Sequence, residues 1–432
     1  MIFKNKLKPY LNLRKNSIST IIYFYMNLGN NTKDIIKISQ IFNNHNYEFF
    51  LVGGALRDLL LKKIPYDFDF TTNATPKEIM KLFPKNIQTG IKHGTISIIF
   101  NKKIFEITTY RIDIDYENKR SPKQIKFTKN LKEDLKRRDF TINAIAMHTL
   151  NFEIIDYYNG QQDLNKKIIK CIGNPNKRFE EDALRILRAA RFASTLNFTI
   201  DKNTLISMKY KKNNILFLSK ERINNEFIKL LEGENPTKGI KYLQKINFFK
   251  YFFNIEINKK LIKKITLLNK NKFYLKAIVI FTIKQDISNL KQNLKLLKFS
   301  NKDIKLILLY KTTINAIHKL NPKKLYHIRI FLSKTTRENY KETLDIYKAL
   351  KGKNNKFKFI TNKIKNNKLL RDPLSLKELQ INGNDVKKFQ LRTHKNTGII
   401  LNHLLNEVLI EPKLNKKEIL LQKIKDQYSQ YF

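Results

Sequence analysis

The stretch FFLVGGALRDLLL (49–61) is the starting point for the fold, because it has the pattern of a strand, two glycines and a helix. Gly53 and Gly54 remove side chains where a backbone must approach another group closely, and the helix start offers free N–H groups to a phosphate. Arg57, one turn into the helix, can bring a guanidinium to the same phosphate. A Gly-Gly turn by itself often only reverses the chain, so other stretches must support this interpretation.

A pair of carboxylates follows thirteen residues after Gly54, in the run DFDF (67–70). Side chains alternate across a strand, so a strand here places Asp67 and Asp69 on one face and both rings toward a core. Paired carboxylates suit Mg²⁺ bound together with substrate phosphates. A solvated edge strand is the usual explanation of an isolated D-x-D, but the Gly-Gly turn ahead favours the metal site. Glu106 is either a third ligand or a buried partner of a neighbouring arginine.

Two arginine-rich stretches come later, and the first is LKRRDFTINAIAM (135–147). Arg137 and Arg138 can bind phosphate, and Asp139 can accept a hydrogen bond from a ribose hydroxyl. The apolar residues that follow predict a helix, which would set the arginines at the head of a cleft. A solvated pair of charges is the alternative.

The second stretch, EEDALRILRAARF (180–192), carries four charged residues at successive i+3 spacings: Asp182, Arg185, Arg188 and Arg191. On a continuous helix these side chains trace one broad face, and the leucines between them form the opposite, buried stripe. A basic helix surface with one ion pair is the alternative.

Strand and helix patterns divide the chain into two parts. Short β-branched and aromatic segments alternate with helices up to about residue 170, and helical periodicity follows almost without interruption. This pattern predicts an α/β N-terminal domain followed by a long all-helical part.

The charge of the chain favours a polyanionic partner. The 432 residues include 85 Lys and Arg against 37 Asp and Glu, a formal charge of +48. This excess predicts attraction to nucleic acid first and an anionic membrane second, although a general bias toward lysine accounts for part of it. The single cysteine, Cys171, excludes a disulfide scaffold and a cysteine-rich zinc site, and it fits a reducing compartment.

No apolar run in the sequence reaches the length of a membrane span. Residues 1–33 contain no acidic residue, which is typical of an organellar transit segment and equally of an unstructured leader. We expect a cytoplasmic protein, with an organelle as the alternative.

Taken together, these stretches resemble the class II CCA-adding tRNA nucleotidyltransferases and poly(A) polymerases. The resemblance rests on six segments in order across about residues 45–231: LVGGALRDLL, DFDF, RRDFTINAIAM, DYYNGQQDL, EEDALRILRAARF and SKERINNEFIKLL. Near the C terminus, LSLKELQINGNDVKKF and GIILNHLLNEVL resemble the tail of bacterial CCA-adding enzymes. Between about 240 and 370, only the helical pattern is shared.

The resemblance implies a fold of class α+β, with a nucleotidyltransferase head on a small mixed sheet and an all-helical neck, body and tail. The corresponding boundaries are 1–33 for the basic leader, 34–170 for the head, 171–235 for the neck, 236–370 for the body and 371–432 for the tail. It also implies Mg²⁺ as cofactor, CTP and ATP as substrates, and tRNA as a partner held along its acceptor and T-stem backbone. No membrane partner is expected, and the oligomeric state stays open.

The same resemblance assigns roles to ten residues. They are the catalytic metal ligands Asp67 and Asp69, the triphosphate-binding Gly54, Arg57 and Arg138, the ribose neighbour Asp139, the base-reading pair Asp182 and Arg185, and the nucleotide-site arginines Arg188 and Arg191.

A carboxylate paired with a guanidinium can choose C and A without a template. The carboxylate accepts from the exocyclic amine of either base, while the guanidinium donates to the adjacent ring nitrogen. U and G present the reverse pattern, which buries unpaired polar groups at a cost of about 1–3 kcal/mol each. We therefore expect Asp182 and Arg185 to admit CTP and ATP and to exclude UTP and GTP.

Four activities are compatible with the resemblance: full CCA addition, A-only addition, poly(A) polymerisation, and RNA binding by a degenerate, inactive fold. The loop expected over residues 111–129 is full length, which in the family accompanies the switch from C to A addition. It carries NKRS (118–121) where the family tends to have consecutive arginines. The intact D-x-D argues against an inactive protein. The loop and the tail favour the full enzyme, which adds and repairs the terminal CCA of tRNA and releases pyrophosphate.

Overall fold

The computed structural model describes residues 28–65, 67–88, 90–117, 121–389 and 394–428. Most of the basic leader expected over residues 1–33 lies outside the described residues. The chain forms two compact units, one ending at Phe248 and one beginning at Phe249. The finer division into leader, head, neck, body and tail stays a prediction.

The first unit contains the strands of the protein. In chain order they are β1 (Phe49–Val52), β2 (Asp69–Thr72), β3 (Asn86–Ile87), β4 (Thr95–Phe100), β5 (Lys103–Thr109), β6 (Arg111–Glu117), β7 (Ser121–Phe127), β8 (Ala146–His148), β9 (Ile154–Ile155), β10 (Ile168–Ile169) and β11 (Thr199–Ile200). Seven of them form one sheet in the order β3-β4-β5-β2-β1-β8-β9. The pair β2 and β5 is parallel and the other pairs are antiparallel, so the sheet is mixed, as predicted.

Helices surround this sheet and continue after it. They are α1 (Thr32–Asn44), α2 (Gly53–Leu60), α3 (Pro76–Leu82), α4 (Leu131–Lys136), α5 (Gly160–Asn165), α6 (Pro175–Glu181), α7 (Leu184–Thr195), α8 (Lys202–Tyr210), α9 (Lys220–Leu231), α10 (Pro236–Lys245) and α11 (Phe248–Phe253), which spans the boundary between the units. The short strands followed by helices confirm the predicted α+β class.

Aromatic rings hold α1 against the first two strands. Phe42 stacks on Phe49 with ring centroids 4.7 Å apart, and Phe49 stacks on Phe70 at the same distance. All three side chains are buried. Burying a ring of this size stabilises the fold by about 1.5–3 kcal/mol, so this stack is a main anchor for β1 and β2.

The start of α3 shows local sequence acting directly on structure. The Thr75 side chain accepts a hydrogen bond from the backbone N–H of Glu78, and the Glu78 carboxylate accepts one from the N–H of Thr75 at 2.7 Å. Pro76 occupies the first turn, where its missing N–H costs nothing. The helix therefore begins where two orphan donors are satisfied reciprocally.

The prediction of a helix after the RRDF stretch is wrong. Residues Thr141–Asn143 form one 3₁₀ turn, and Ala146 then starts the strand β8, where it pairs with Val52 of β1 and Ile155 of β9. The whole run from 141 to 147 is buried. A short continuous apolar run cannot be distinguished from a buried helix by periodicity alone, which is why the pattern misled.

The loop expected over residues 111–129 is a two-stranded antiparallel ribbon. Strands β6 and β7 pair from Arg111 with Phe127 to Glu117 with Ser121, apart from the main sheet. Residues 118–120, which replace the arginines typical of the family, lie outside the described residues.

The second unit is helical throughout its described residues. Its further helices are α12 (Lys259–Ile265), α13 (Phe273–Phe281), α14 (Ile287–Leu296), α15 (Asn301–Lys319), α16 (Leu325–Thr335), α17 (Tyr340–Lys351), α18 (Asn355–Asn366), α19 (Gly383–Lys387), α20 (His394–Ile410) and α21 (Lys417–Gln427). One hydrophobic cluster runs from Ile317 to Tyr428 and joins α16 to α21. None of the described helices is long and apolar enough to cross a bilayer.

Two lysines are buried inside the second unit. The Nζ atom of Lys276 lies 2.7 Å from the Asp345 carboxylate. Lys311 donates to the carbonyl groups of Thr282 and Ile283, just beyond the end of α13. Burial lowers the pKa of Lys311 to about 8, because desolvation of the ammonium outweighs the opposing charge of Asp286.

Candidate active site

A cleft of about 1160 Å³ lies where β1 passes into α2. Eight arginines and one lysine line it, together with five carboxylates. Nine of the ten residues predicted for the site line this cleft: Gly54, Arg57, Asp69, Arg138, Asp139, Asp182, Arg185, Arg188 and Arg191. The exception is Asp67, which lines a second cavity that shares Asp69 with the cleft.

The Gly-Gly turn brings the backbone close to charged groups, as the sequence predicts. Gly53 has a φ of 71°, in the left-handed region that favours glycine. A Cβ atom there would lie 3.4 Å from both Arg138 Nη1 and Asp69 Oδ2. Gly54 follows as the second residue of α2 and lies beside the guanidinium of Arg57. Any larger residue at Gly53 would therefore strain the backbone and crowd the cleft.

Three carboxylates lie close together near the start of β2. Asp69 is the first residue of β2, opposite Glu106 in the parallel register of β5. Asp67, Asp69 and Glu106 all line the second cavity, which has a volume of about 570 Å³. Desolvation of the carboxylate in the cleft raises the pKa of Asp69, although other parts of this residue are exposed to solvent. Arg138 lowers this pKa, and the charge of Asp67 raises it.

The strand predicted for DFDF (67–70) begins two residues late. Asp67 lies in a bend before β2, so it does not share strand alternation with Asp69. The last pair between β1 and β2 joins Val52 to Asp69, because the chain turns into α2 at Gly53 and offers no further partner. Phe70 is buried as expected, whereas Phe68 is only half-buried.

The carboxylates of Asp67 and Asp69 match the ligands of a hard divalent cation. The charge of Asp67 raises the pKa of Asp69, an effect that a bound cation would relieve. No group of three or more acidic, histidine or cysteine side chains among the described residues is arranged to hold a metal by itself. Mg²⁺ is usually held by one or two carboxylates with substrate phosphates and water, so this donor set fits it.

Arg57 is fixed before any substrate arrives. Its Nη1 donates to Asn143 Oδ1 at 2.8 Å, and its Nε and Nη2 donate to Asp58 Oδ1 at 2.9 and 2.7 Å. The guanidinium also lies over the ring of Phe192, 5.2 Å from its centroid. A guanidinium held at several points presents its remaining surface to a phosphate with little loss of freedom.

A fully buried carboxylate positions Arg137 and Arg138. Asp134, at 0% exposure, lies 2.8 Å from Arg137 Nη2 and 3.2 Å from Arg138 Nη2. Burial raises the pKa of Asp134, but the two arginines outweigh burial and lower it below its ordinary value. The carboxylate therefore stays ionised and keeps both cations at the cleft.

Asp139 lies at the centre of a hydrogen-bond network. Its Oδ1 accepts from the Phe140 N–H at 2.8 Å and from Asn143 Nδ2 at 2.9 Å. Its Oδ2 accepts from Arg188 Nε at 2.8 Å. Burial raises the pKa of Asp139, yet Arg188 and these hydrogen bonds hold it far below its usual range.

The continuous helix expected over residues 180–192 is broken at Asp182. Helix α6 ends at Glu181, Asp182 is extended with φ −138° and ψ 104°, and α7 begins at Leu184. The Oδ1 of Asp182 accepts from the Leu184 N–H at 3.0 Å, which competes with helix continuation. From Arg185 onward the predicted faces are confirmed, since Leu187 and Ala190 are buried opposite the cleft arginines.

Neighbouring groups hold the side chains of the two predicted base-reading residues. Arg185 donates through Nη1 to Glu181 Oε2 at 2.7 Å and through Nη2 to the carbonyl of Arg137 at 3.1 Å. Asp182 Oδ2 lies 3.3 Å from Arg222 Nη2. Both side chains border the cleft, and their role in reading a base stays a prediction.

Several residues that support the cleft were not predicted from the sequence. Glu226 on α9 lies 3.1 Å from Arg191 and 3.9 Å from Arg188, and Arg178 donates to the carbonyls of Arg137 and Arg138. The supporting residues are Asp134, Arg178, Glu181, Arg222 and Glu226. Helical spacing carried a signal in the sequence for three of them, since Asp134 pairs with Arg137 and Arg138, and Arg178 and Arg185 pair with Glu181. The ion-pair partners of Arg222 and Glu226 lie far away along the chain.

Comparisons with known proteins agree with this geometry. Residues 49–170 match the poly A polymerase head domain, and residues 197–261 match the probable RNA and SrmB-binding site of polymerase A. The CCA-adding enzyme of Staphylococcus haemolyticus is 36% identical over 416 residues, which cover 92% of this chain and 98% of that enzyme. The enzyme of Staphylococcus aureus strain MRSA252 is 40% identical over 290 residues, which cover 66% and 70% of the two chains.

Solved structures share the fold. The CCA-adding enzyme of Bacillus stearothermophilus in complex with CTP superposes with a TM-score of 0.77 at 26% identity, covering 93% of this chain and 98% of that one. The Thermotoga maritima CCA-adding enzyme complexed with tRNA has a TM-score of 0.64 at 21% identity, covering 92% and 95% of the two chains, and so supports the fold alone.

The head domain, with its carboxylates near the start of β2 and its arginine-lined cleft, defines a nucleotidyltransferase. Because relatives at 36% identity align over nearly their whole length, the chain belongs to the family of CCA-adding enzymes.

Proposed function

We propose that this chain adds and repairs the 3′-terminal CCA of tRNA, using CTP and ATP without a nucleic-acid template. The observation that carries the proposal is the cleft in which Asp69 lies among eight arginines, next to the cavity that Asp67 and Glu106 line. A triphosphate needs several cations, and a nucleotidyl transfer needs carboxylates close to the phosphorus that is attacked.

In this reaction the 3′-hydroxyl of the RNA attacks the α-phosphorus of the nucleotide. An O–P bond forms, the bond to the β-phosphate oxygen breaks, and pyrophosphate leaves with that electron pair while the hydroxyl loses its proton. We assign Arg57 and Arg138, which line the cleft together with Gly53 and Gly54, to neutralise the phosphates, and the free N–H groups at the start of α2 to bind them. Asp139 is the acceptor for the ribose hydroxyls.

Asp67 and Asp69 would hold Mg²⁺ together with the phosphates. Mg²⁺ bound there supplies activation of the attacking hydroxyl and neutralisation of charge on the leaving pyrophosphate. Glu106, which lines the same cavity, is the candidate for a third ligand.

Base choice rests on Asp182 and Arg185. One oxygen of Asp182 is held by the Leu184 N–H, which aims the carboxylate, while the other lies 3.3 Å from Arg222 on the cleft side. That oxygen can accept from the exocyclic amine of C or A, and Arg185 donates to the neighbouring ring nitrogen. U and G place a carbonyl against the carboxylate, which costs about 1–3 kcal/mol for each unmatched group.

The decisive experiment supplies purified protein with Mg²⁺, a tRNA trimmed of its 3′ end, and labelled CTP or ATP. We expect two C additions from CTP, then one A from ATP once CC is present. Incorporation of A alone after CC would indicate an A-only enzyme. Long A tails would indicate a poly(A) polymerase, and binding without incorporation would indicate an inactive protein.

Two variants test the assigned residues in the same assay. Asp69→Asn should lower the rate of addition by at least about 10²-fold, while Asp426→Asn, an equal change on exposed α21, should leave it at the wild-type value. Asp182→Ala should relax discrimination against UTP. Full addition by Asp69→Asn, or full exclusion of UTP by Asp182→Ala, would refute the corresponding role.

We place the protein in the cytoplasm, which suits its single buried thiol. A fluorescent fusion of the full chain, compared with one lacking residues 1–33, tests this assignment. Uptake into an organelle that needs those residues would overturn it.

A further inference from the structure

A second cavity of about 550 Å³ lies entirely within the second unit, in the groove between α17 and α18. Its floor is apolar and aromatic, formed by Tyr340, Leu344, Phe357, Ile364 and Leu370. The volume falls within the range of about 300–1,000 Å³ that is typical of pockets for small ligands. The groove can therefore receive a group of the size of a nucleobase with its sugar.

Five cations border this groove: Lys341, Lys348, Lys365, Lys368 and Arg371. Among the described residues, none of them lies within ion-pair distance of a carboxylate. Four are exposed and Lys348 is half-buried, so their charged ends reach solvent at the rim. A ring of cations without counter-charges attracts an anion.

The single carboxylate in the groove does not oppose this attraction. Asp345 lies 2.7 Å from the buried Nζ of Lys276 and accepts the backbone N–H of Asn269 at 3.1 Å. The pair carries no net charge and its hydrogen bonds are internal. The local charge of the groove is therefore set by the five rim cations.

The spacing of the rim argues for several negative charges rather than one. Lys341 and Lys348 are two helical turns apart on α17, about 10 Å along the axis, so they can contact neighbouring phosphates of one chain. A ligand that joins a flat apolar ring to a chain of phosphates matches both the floor and the rim.

We propose that this groove binds one unpaired nucleotide of the tRNA substrate, with its base against Tyr340 and Phe357 and its flanking phosphates on the rim cations. The inference rests on the proposed function, because it takes tRNA as the partner. A base inside a duplex is stacked and paired, so the occupant is a loop nucleotide whose base can turn outward. Stacking against aromatic side chains tolerates any base, so the groove contributes affinity and register without reading sequence.

The test uses the full-length protein and trimmed tRNA, with affinity measured by filter binding. Thr361→Phe fills the groove without changing charge, and Lys365→Gln with Lys368→Gln removes two rim charges. Lys358→Gln with Lys363→Gln is the matched control, since both lysines lie on α18 but outside the groove. We expect Thr361→Phe to weaken tRNA binding about tenfold, and the rim pair to weaken it more than the control pair does.

Chemical probing of the bound tRNA gives a second readout. One loop nucleotide should be protected by wild-type protein and by the control pair, and exposed again with Thr361→Phe. Affinities of both groove variants equal to that of the control pair would overturn the proposal. The proposal would also be overturned if the groove variants lost binding to free ATP but kept the tRNA affinity of wild type, since the occupant would then be a free nucleotide.

The two proposals fail in different ways. If wild-type protein incorporates neither CTP nor ATP, the proposed function fails, whatever the groove binds. If wild-type protein adds CCA and the groove variants bind tRNA like the control pair, only the groove proposal fails. Thermal melting of each variant, with a midpoint equal to that of wild type, ensures that weaker binding does not come from unfolding.

Discussion

The cleft of the first unit and the groove of the second are both basic, but their cations are held differently. Each of the eight cleft arginines lies within 3.4 Å of a carboxylate oxygen. In the described part of the chain, none of the five groove cations has such a partner. Fixed charges suit chemistry, because they need no reorganisation when the substrate reacts. Solvated lysines suit reversible binding of a phosphate backbone.

The largest expected difference between the cleft and the groove is in how binding responds to salt. We expect tRNA affinity of the full-length protein to fall about 10³-fold between 50 and 200 mM salt, since solvated lysines release counterions from the phosphates. Replacing Lys365 and Lys368 with Gln should reduce the slope of log affinity against log salt by about one for each lysine. Affinity that hardly changes over this range would show that backbone contacts do not dominate.

Removing a buried carboxylate should break the fixed cleft. Asp134→Ala leaves Arg137 and Arg138 without their counter-charge, so we expect it to lower the free energy of unfolding by about 3–5 kcal/mol. Urea denaturation followed by circular dichroism measures the change. Asp426→Ala, at an exposed position, should stay within about 0.5 kcal/mol of wild type. Equal midpoints for the two variants would mean that the cleft is not held by this carboxylate.

A milder change sharpens the same comparison. Asp139→Asn keeps the shape of the side chain but removes the charge that holds Arg188. A hydrogen bond to a charged group is worth about 1.5–3 kcal/mol, so kcat/KM for CTP should fall about ten- to hundredfold. If kcat/KM falls because Arg188 is no longer held, the double variant Asp139→Asn with Arg188→Gln will lose little more kcat/KM than either single variant.

The smallest effect concerns Lys311 in the second unit. Its pKa of about 8 in the folded state lies below the ordinary value of 10.5, so the unfolded chain binds more protons between these values. Stability should therefore rise with pH across this window, by about 1–2 kcal/mol from pH 8 to pH 9.5, and full protonation below pH 8 should remove the gain. Lys311→Met should lack the rise in urea denaturation at a series of pH values. An identical rise in the variant would assign it to other groups.

Much of the site could be predicted from short segments. The turn at Gly53 needs a left-handed residue beside a strand end, and the box at Thr75 and Glu78 is satisfied within four residues, so both are visible in sequence. The strand predicted at DFDF begins two residues late, and the helix predicted after RRDF is a 3₁₀ turn followed by the strand β8. Both outcomes depend on where β1 ends and on which strands flank β8, and no local pattern contains that information.

The amino-acid sequence by itself determined the kinds of group available: the acidic pair, the glycine turn, and a series of arginines at helical spacing. It also carried the change from short strands to helices that sets the fold class. Only the tertiary structure decided the distant pairs, such as Asp139 with Arg188 or Arg191 with Glu226, because these join residues at least 35 positions apart. Local pairs such as Arg185 with Glu181 already have helical spacing in the sequence. The groove also depends on packing, because α17 and α18 follow each other along the chain but enclose a cavity only when they pack together. Ionic and apolar contacts are short in range, so long separations along the chain acquire meaning only after folding brings the groups within a few ångströms.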